Sequence, residues 1–169
     1  PMLWKLLADE RGLFEHFTHD ASLIPMEFYP MWTRQFSRMK NKITGSWYSG
    51  SDLSEAEHTA IKDRIEKEGP LCTRAFDTKI TGKKEMWKRP PHKKALDYMW
   101  YAGELATCHR ENFIKFYDLA ERVFPDGLRS QSLSDEAQID RLCRSALERL
   151  GFASAGEIQR FWDACSAAE

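Results

Sequence analysis

The first stretch of the chain combines a helical apolar pattern with an aromatic segment and a polar loop. Its apolar positions predict a helix over residues 3–17, interrupted near Gly12. An aromatic segment follows, from Phe28 to Trp32. Residues 45–50 combine serine, glycine and aromatic side chains, which is typical of a loop, and they are the best candidate for a domain boundary.

Three helices are predicted in succession after this loop. A capping-box pattern predicts that the first begins at Ser54, and Gly69 ends it. Residues 71–76 indicate a second, short helix, and residues 93–103 predict a third. Apolar side chains share one face of the third helix: Ala95, Leu96, Met99 and Trp100.

A hairpin is predicted directly after the third helix. Residues 105–110 and 113–117 have the pattern of two strands, with a polar tip at Glu111 and Asn112. The order of helix, helix, helix and hairpin is typical of a winged helix.

The last part of the chain begins a similar pattern. Residues 139–150 follow helical spacing, Gly151 ends this helix, and a second capping box at Ser154 opens another. The junctions after Gly69 and Gly151 share one plan: glycine, apolar residue, small residue, short helix. We interpret this as a weak internal repeat of helix-turn-helix units.

These elements predict a mainly α fold with small β wings, an α+β architecture built from tandem winged helix-turn-helix units. We expect residues 1–50 to be the C-terminal part of a preceding winged-helix unit, residues 51–130 a complete winged helix, and residues 131–169 the truncated start of a further one. The first helix is already under way at Leu3 and no terminating signal follows Ala164, so we expect an internal fragment of a longer protein.

Composition excludes some classes of protein. The 169 residues are 42% hydrophobic, which is enough to bury a core, and a formal net charge of -1 excludes a uniformly basic nucleic-acid binder. No apolar run approaches the ~20 residues of a membrane span. The cysteines lack zinc spacing, so we expect no metal and a cytosolic protein. Free thiols are expected at Cys72, Cys108, Cys143 and Cys165.

Positive charge is concentrated just before the predicted third helix. Residues 79–94 contain seven Lys or Arg side chains against the single acid Glu85. Clustered cations beside a helix suit phosphate contacts, and polar groups on a hairpin can contact a groove edge. The candidate DNA-binding residues are Arg74, Lys83, Lys84, Lys88, Arg89, Lys93, Lys94, Arg110, Asn112 and Lys115. The alternatives are a solvated loop for residues 79–94 and an ordinary polar turn for the hairpin.

Two further polar groups are weaker candidates. His19 and Ser22 are kept as candidates for residues adjacent to an active site, although Ser22 lies in no nucleophile-elbow pattern and His19 also suits a structural role. Asp118, Glu121 and Arg122 are expected to form a supporting ion-pair network rather than a catalytic group. Cys108 and His109 are expected to point to opposite faces of a strand.

Three stretches resemble the YcaQ/AlkZ family of winged-helix DNA glycosylases: residues 14–25, 93–105 and 112–125. The last is the most specific. The family's pattern matches it at Tyr117, Asp118, Leu119, Glu121, Arg122, Val123 and Pro125. The resemblance extends over nearly the whole chain and is weakest in residues 39–52.

The resemblance implies tandem winged helices around a DNA-binding channel. It also implies hydrolysis of the N-glycosidic bond of alkylated or interstrand-crosslinked bases, without a metal or another cofactor. The implied partner is duplex DNA in the bacterial cytoplasm, at the nucleoid, and we expect a monomer that makes no membrane contact.

The family's catalytic motif, Gln-x-Gln or Gln-x-Asp, lies upstream of the segment that matches residues 14–25. Gln138 and Asp140 match the residue types and spacing of this motif, but they lie in the first helix of the later repeat. No catalytic residue is therefore assigned, and the chain is expected to bind DNA without performing the chemistry.

Two other classes of protein remain open. A winged-helix transcriptional regulator would need base-specific contacts from the third helix, whose outward candidates Lys93, Lys94 and Asp97 are a poor set for bidentate contacts. A winged helix used for protein contacts would leave the cations of residues 79–94 unexplained.

Overall fold

The computed structural model describes residues 2–44, 54–77 and 89–169. The boundary predicted at residues 45–50 lies outside these ranges, as do Lys83, Lys84 and Lys88.

The chain begins with a short helix and a hairpin. Helix α1 (Met2–Ala8) is followed by strand β1 (Leu13–Phe17), which pairs antiparallel with β2 (Ala21–Pro25). The helix predicted over residues 3–17 is therefore wrong in its second half. Arg11 has a φ of 50°, which turns the chain out of α1, and the edge of β2 then supplies hydrogen bonds that helical spacing alone cannot predict.

A 3-10 helix (Met26–Met31) and α2 (Thr33–Thr44) complete the first described range. The aromatic segment seen in the sequence begins in this 3-10 helix and ends at its C-cap Trp32, and both Phe28 and Trp32 are buried. The apolar residues Phe36, Met39 and Ile43 recur at helical spacing, so they lie on one face of α2, and all three are buried.

The middle range begins as predicted. Helix α3 (Glu55–Glu68) has Ser54 as its N-cap, and the complete capping box with Glu57 is present. Gly69 ends the helix with a φ of 85°, a conformation that favours glycine.

The short helix predicted over residues 71–76 is wrong for its first two residues and for Phe76, which is extended. The first two form strand β3 (Leu71–Cys72), because Leu71 pairs with Tyr117 and Cys72 with Phe116. A single 3-10 turn, Thr73–Ala75, follows.

The third helix and the hairpin are confirmed, but the polar tip predicted at Glu111 and Asn112 lies one residue later, at Asn112 and Phe113, because Glu111 still pairs with Ile114. Helix α4 (Pro91–Tyr101) precedes β4 (Leu105–Glu111) and β5 (Ile114–Leu119), which pair antiparallel around a two-residue tip. The three strands form one sheet in the order β3-β5-β4. Cys108 and His109 do not lie on opposite faces as expected, because a bulge between Thr107 and His109 brings the Cys108 Sγ within 3.2 Å of the His109 Nδ1.

Helices make up the rest of the chain. Two single-turn helices, α5 (Ala120–Val123) and α6 (Asp126–Arg129), lead into α7 (Asp135–Leu150) and α8 (Ala155–Trp162). The longer pair confirms the helices predicted on either side of Gly151. The fold is thus mainly α with small antiparallel sheets, as predicted.

A large core joins the first part of the chain to the last. Trp32 packs edge-on against Trp162 with ring centroids 5.9 Å apart, and Phe28 packs on the same indole at 5.1 Å. Another core lies between α3, α4 and the three-stranded sheet, around Ile65, Leu96 and Met99. The division into residues 1–50, 51–130 and 131–169 stays a prediction.

Candidate nucleic-acid interface

The first turn of α4 carries positive charge where helices usually carry acids. Pro90 is the N-cap and provides no side-chain hydrogen bond, Pro91 is the first helical residue, and no acid lies in this turn. Lys93 is exposed and Lys94 is partly exposed. Because the N-terminal end of a helix is already electropositive, two lysines here build a local field that favours an anion.

Arg89 and Asp97 fix the chain just before α4. The Arg89 Nη1 donates to the Asp97 Oδ2 at 3.0 Å, and the Tyr117 hydroxyl donates to the Asp97 Oδ1 at 3.3 Å. Burial and the Asp97 charge raise the pKa of Tyr117 well above its usual range, so this hydroxyl stays a donor. Asp97 therefore ties the end of the basic segment to α4 and β5, and it is not the outward-facing residue that the sequence suggested.

We call Arg89, Lys93 and Lys94 the α4 basic surface. Arg74 is exposed on the 3-10 turn Thr73–Ala75, which packs against α4.

The C-terminal half of α4 is covered by α2. Tyr98 and Tyr101 pack against the small core that Met39 and Ile43 of α2 form. A second contact joins the Tyr98 ring to His58 of α3, with ring centroids 5.7 Å apart. The outward surface of α4 is thus restricted to its first turns, around Lys93 and Lys94.

The two hairpin cations meet a buried carboxylate from β1. Arg110 donates to both oxygens of Glu15, with the Nε at 2.8 Å from Oε2 and the Nη2 at 2.6 Å from Oε1. The Lys115 Nζ lies 2.7 Å from the Glu15 Oε1 and 3.4 Å from the centroid of the Trp100 ring. We call Glu15, Arg110 and Lys115 the Glu15 cluster.

Burial disfavours the charged forms of Glu15 and Lys115, and the closeness of opposite charges in the Glu15 cluster favours them. Burial raises the pKa of Glu15, but the hydrogen bond from Arg110 and the Lys115 charge more than offset it, so this pKa is below its usual range. Burial lowers the pKa of Lys115, and the Glu15 carboxylate opposes that change. Glu15 is therefore ionised near neutral pH, with one guanidinium and one ammonium against it.

His16 next to this cluster is a buried structural histidine. The Trp32 indole donates to its Nδ1 at 2.9 Å, so the proton lies on Nε2, which donates to the Tyr101 carbonyl at 3.2 Å. Burial lowers the pKa of His16 from 6.5 to about 4, so the ring is neutral at physiological pH. Glu15 was not singled out from the sequence, where the buried strand was taken for part of a helix.

The remaining candidates lie apart from these groups. Asn112 is exposed at the hairpin tip, and His19 is exposed in the turn between β1 and β2. The Ser22 hydroxyl lies 2.8 Å from the Thr18 hydroxyl and 3.2 Å from the Asp20 carbonyl, so its contacts belong to that turn. The DNA-binding roles of all the candidate residues stay predictions.

Gln138 is buried and has hydrogen bonds inside the protein. Its Oε1 accepts from the Thr33 hydroxyl at 3.1 Å and from the Arg34 N–H at 2.9 Å, and its Nε2 donates to the Leu133 carbonyl at 2.9 Å. Asp140 is exposed and pairs with Arg144 at 2.8 Å. Gln138 joins α7 to the start of α2 and is not directed at a solvent-accessible site.

Arg122 is part of the supporting network expected after β5. It lies 3.5 Å from the Asp118 carboxylate and donates to the Ile65 and Glu66 carbonyls at the end of α3. The ion pair expected of Glu121 is not seen in the described part of the chain, where its backbone carbonyl accepts a hydrogen bond from Arg129 at 3.4 Å.

In the described ranges, no three or more His, Cys, Asp or Glu side chains are placed to bind a metal ion. No helix in those ranges is both long and apolar enough to cross a membrane.

Comparison with known proteins assigns the chain to a family. No solved structure matches the chain. The family model described as DNA glycosylase AlkZ-like matches residues 2–169, which includes α4, the hairpin and the Glu15 cluster. This chain therefore belongs to the AlkZ-like DNA glycosylase family, as its three resembling stretches led us to expect.

Proposed function

We propose that this chain is the DNA-binding portion of a glycosylase that removes alkylated or interstrand-crosslinked bases, and that duplex DNA lies against the α4 basic surface. Membership of the family assigns the chain to the DNA-repair glycosylases, a class of hydrolases that bind DNA. The observation that carries the finer proposal is the pair Lys93 and Lys94 in an acid-free first turn of α4.

A phosphate group would bind at this point for two physical reasons. Lysines in the first turn of a helix are repelled by the helix dipole, so an anion there relieves an unfavourable arrangement. Cations that neutralise phosphates also release counterions from DNA, which supplies much of the non-specific affinity. Arg89, fixed by Asp97, adds a third cation beside the same turn.

The covered half of α4 favours repair over transcriptional regulation. A regulator needs several side chains of its third helix in the major groove. Tyr98 and Tyr101 are instead packed against α2. Binding through the first turn of α4 would hold the backbone without reading the base sequence.

The sheet order β3-β5-β4, with α3 before it and α4 between its strands, supports a winged helix in the middle of the chain. We retain the tandem arrangement, action on bacterial DNA in the cytoplasm and a monomeric state as parts of this proposal.

We also propose that this chain binds DNA without excising bases. Glycosidic hydrolysis needs a carboxylate or amide that positions water and stabilises an oxocarbenium-like state. Gln138 has a residue type found in the family's motif, but its side-chain oxygen and nitrogen already form hydrogen bonds inside the protein.

Salt-dependent binding to random duplex tests the first proposal. The logarithm of the affinity should fall with the logarithm of salt concentration by roughly 0.9 per phosphate contacted, without sequence preference. Changing Lys93 and Lys94 together to Ala should weaken binding to all sequences equally and flatten the slope. The matched control changes Arg141 and Arg144 to Ala, which removes two exposed cations from α7 and should leave the slope unchanged. Equal effects of the two double variants would contradict the proposed location.

A glycosylase assay on alkylated duplex tests the second proposal. No base release is expected from this chain. Base release by the purified chain would overturn it, and loss of that release in a folded Gln138→Ala variant would place the active site at Gln138.

A further inference from the structure

Phe113, at the tip of the β4–β5 hairpin, combines a positive φ angle with an exposed aromatic ring, and both are unfavourable. The register Glu111↔Ile114 leaves Asn112 and Phe113 as a two-residue loop, with φ angles of 46° and 66°. Asparagine tolerates this left-handed conformation, whereas glycine is usual at the second position. Phe113 is also 81% exposed, so its ring gains little from burial.

The Arg110 side chain stabilises the backbone of this tip through a hydrogen bond. The Arg110 Nη1 donates to the Phe113 carbonyl at 2.7 Å, and Arg110 is itself bound to Glu15. The Trp4 ring lies nearly perpendicular to the Phe113 ring, with centroids 6.5 Å apart, and leaves most of the Phe113 ring exposed. The ring is therefore presented to solvent by a supported turn, an arrangement suited to contact with a ligand.

From these observations we propose that Phe113 is a wedge that stacks on DNA bases where the duplex is interrupted, as at a missing or displaced base. This inference rests on the proposed function, since it requires that the chain bind duplex DNA. Apolar side chains that protrude from a protein enter base steps in this way, and an aromatic ring stacks on any base. An enzyme class that acts on bases must take its target out of the stack, which leaves such a gap.

The surroundings of Phe113 are mixed, and the shape of the hairpin tip favours a base over a protein partner. Glu111 and Asn112, beside it in the chain, are exposed and polar, whereas Trp4 of α1 contacts its ring and Met2 and Leu3 of the same helix are exposed. A hairpin with a two-residue tip is narrow enough to enter a groove, and the Phe113 ring lies at that tip.

Binding to two duplexes tests the proposal. One is fully paired, and the other has the same sequence with one abasic-site analogue next to a 2-aminopurine. We expect the wild-type chain to bind the abasic duplex about tenfold more tightly and to change the 2-aminopurine fluorescence. Phe113→Gly should lose both the preference and the fluorescence change while keeping the affinity and salt slope for paired duplex.

Two further variants separate stacking from a structural role. Phe113→Trp keeps a ring at the tip and should retain the preference. Phe152→Gly removes another aromatic side chain, 91% exposed in the turn between α7 and α8, and should change neither measurement. The urea midpoint of Phe113→Gly should not fall, because glycine suits a positive φ.

The outcomes distinguish this inference from the proposed function. A wild-type chain that binds both duplexes equally, or a Phe113→Gly variant that keeps the preference, overturns the wedge and leaves the proposed DNA binding intact. A lower urea midpoint for Phe113→Gly would also overturn it, because the ring would then serve the fold. Absence of salt-dependent binding to either duplex would overturn both proposals.

Discussion

The α4 basic surface and the Glu15 cluster contain the same kinds of side chain in very different surroundings. Lys93 is exposed in the first turn of α4. Arg110 and Lys115 have side chains only 17% and 19% exposed, and both contact one carboxylate that is 3% exposed. The sequence placed all of these cations in one category of DNA-binding candidates.

This difference shows that cations near each other in sequence do not have equal access to a phosphate. Arg110 and Lys115 are bound to Glu15, which lies 95 positions before Arg110. A phosphate would have to compete with a buried carboxylate for them, which costs far more than displacing water from an exposed lysine. We therefore expect the Glu15 cluster to stabilise the fold and the α4 basic surface to bind DNA.

The largest effect should come from removing the buried carboxylate. Glu15→Gln leaves Arg110 and Lys115 with no opposite charge in a mostly buried place, so we expect the free energy of unfolding to fall by about 3 kcal/mol. Urea unfolding measures this change. The control is Glu68→Gln, which removes an exposed partner of Arg64 and should leave the midpoint unchanged. A midpoint for Glu15→Gln that equals the control would remove the distinction between the two groups of cations.

The free energy of unfolding should also depend on pH through His16, the neighbour of Glu15, at pH values above those at which Glu15 titrates. His16 has a pKa of about 4 in the folded state against 6.5 for an ordinary histidine, so the unfolded state binds more protons between these values. Stability should be complete above pH 6.5 and should fall as the pH is lowered, by about 3 kcal/mol at pH 4.

Urea midpoints from pH 5 to pH 8 test this expectation while Glu15 stays ionised. His16→Gln should remove most of the slope between pH 5 and 6.5 and leave a smaller part from His58 and His92, whose pKa values burial also lowers. The exposed His19, changed to Gln, should leave the slope in place. An unchanged slope in His16→Gln would show that another group titrates.

The smallest effect on stability should come from the α4 basic surface. Changing Lys93 and Lys94 together to Ala should alter the free energy of unfolding by no more than about 0.5 kcal/mol, although DNA binding weakens. Arg110→Gln should do the reverse, lowering stability with little change in the salt slope. A steep loss of salt dependence in Arg110→Gln would return the hairpin cations to the DNA interface.

Local signals predicted the elements that local interactions specify. The capping box at Ser54, the glycine stops at Gly69 and Gly151, and the two-strand pattern around residue 112 all lie within a few positions of the structure they determine. Their hydrogen bonds close within one turn, so the sequence of that turn is sufficient.

Elements that depend on distant partners were missed. Leu71 and Cys72 become a strand only because β5 pairs with them, more than 40 positions later. Leu13, Phe14 and Phe17 match helical spacing in the sequence, yet pairing with β2 makes them part of a strand, and Phe14 is buried against Trp32. The Glu15 cluster was invisible for the same reason, since no local pattern shows which carboxylate will meet Arg110.

The large core that joins the two ends of the described chain also affects how the protein is made. Arg34 donates to the Ala164 carbonyl, 130 positions away, and Trp32 packs on Trp162. At a synthesis rate of about 5–20 residues per second, the first half of this core would wait for roughly 6–26 seconds before its partner leaves the ribosome. During that interval Phe28 and Trp32 would remain without the indole that covers them, so a chaperone that binds exposed aromatic segments would have its best opportunity on the nascent chain.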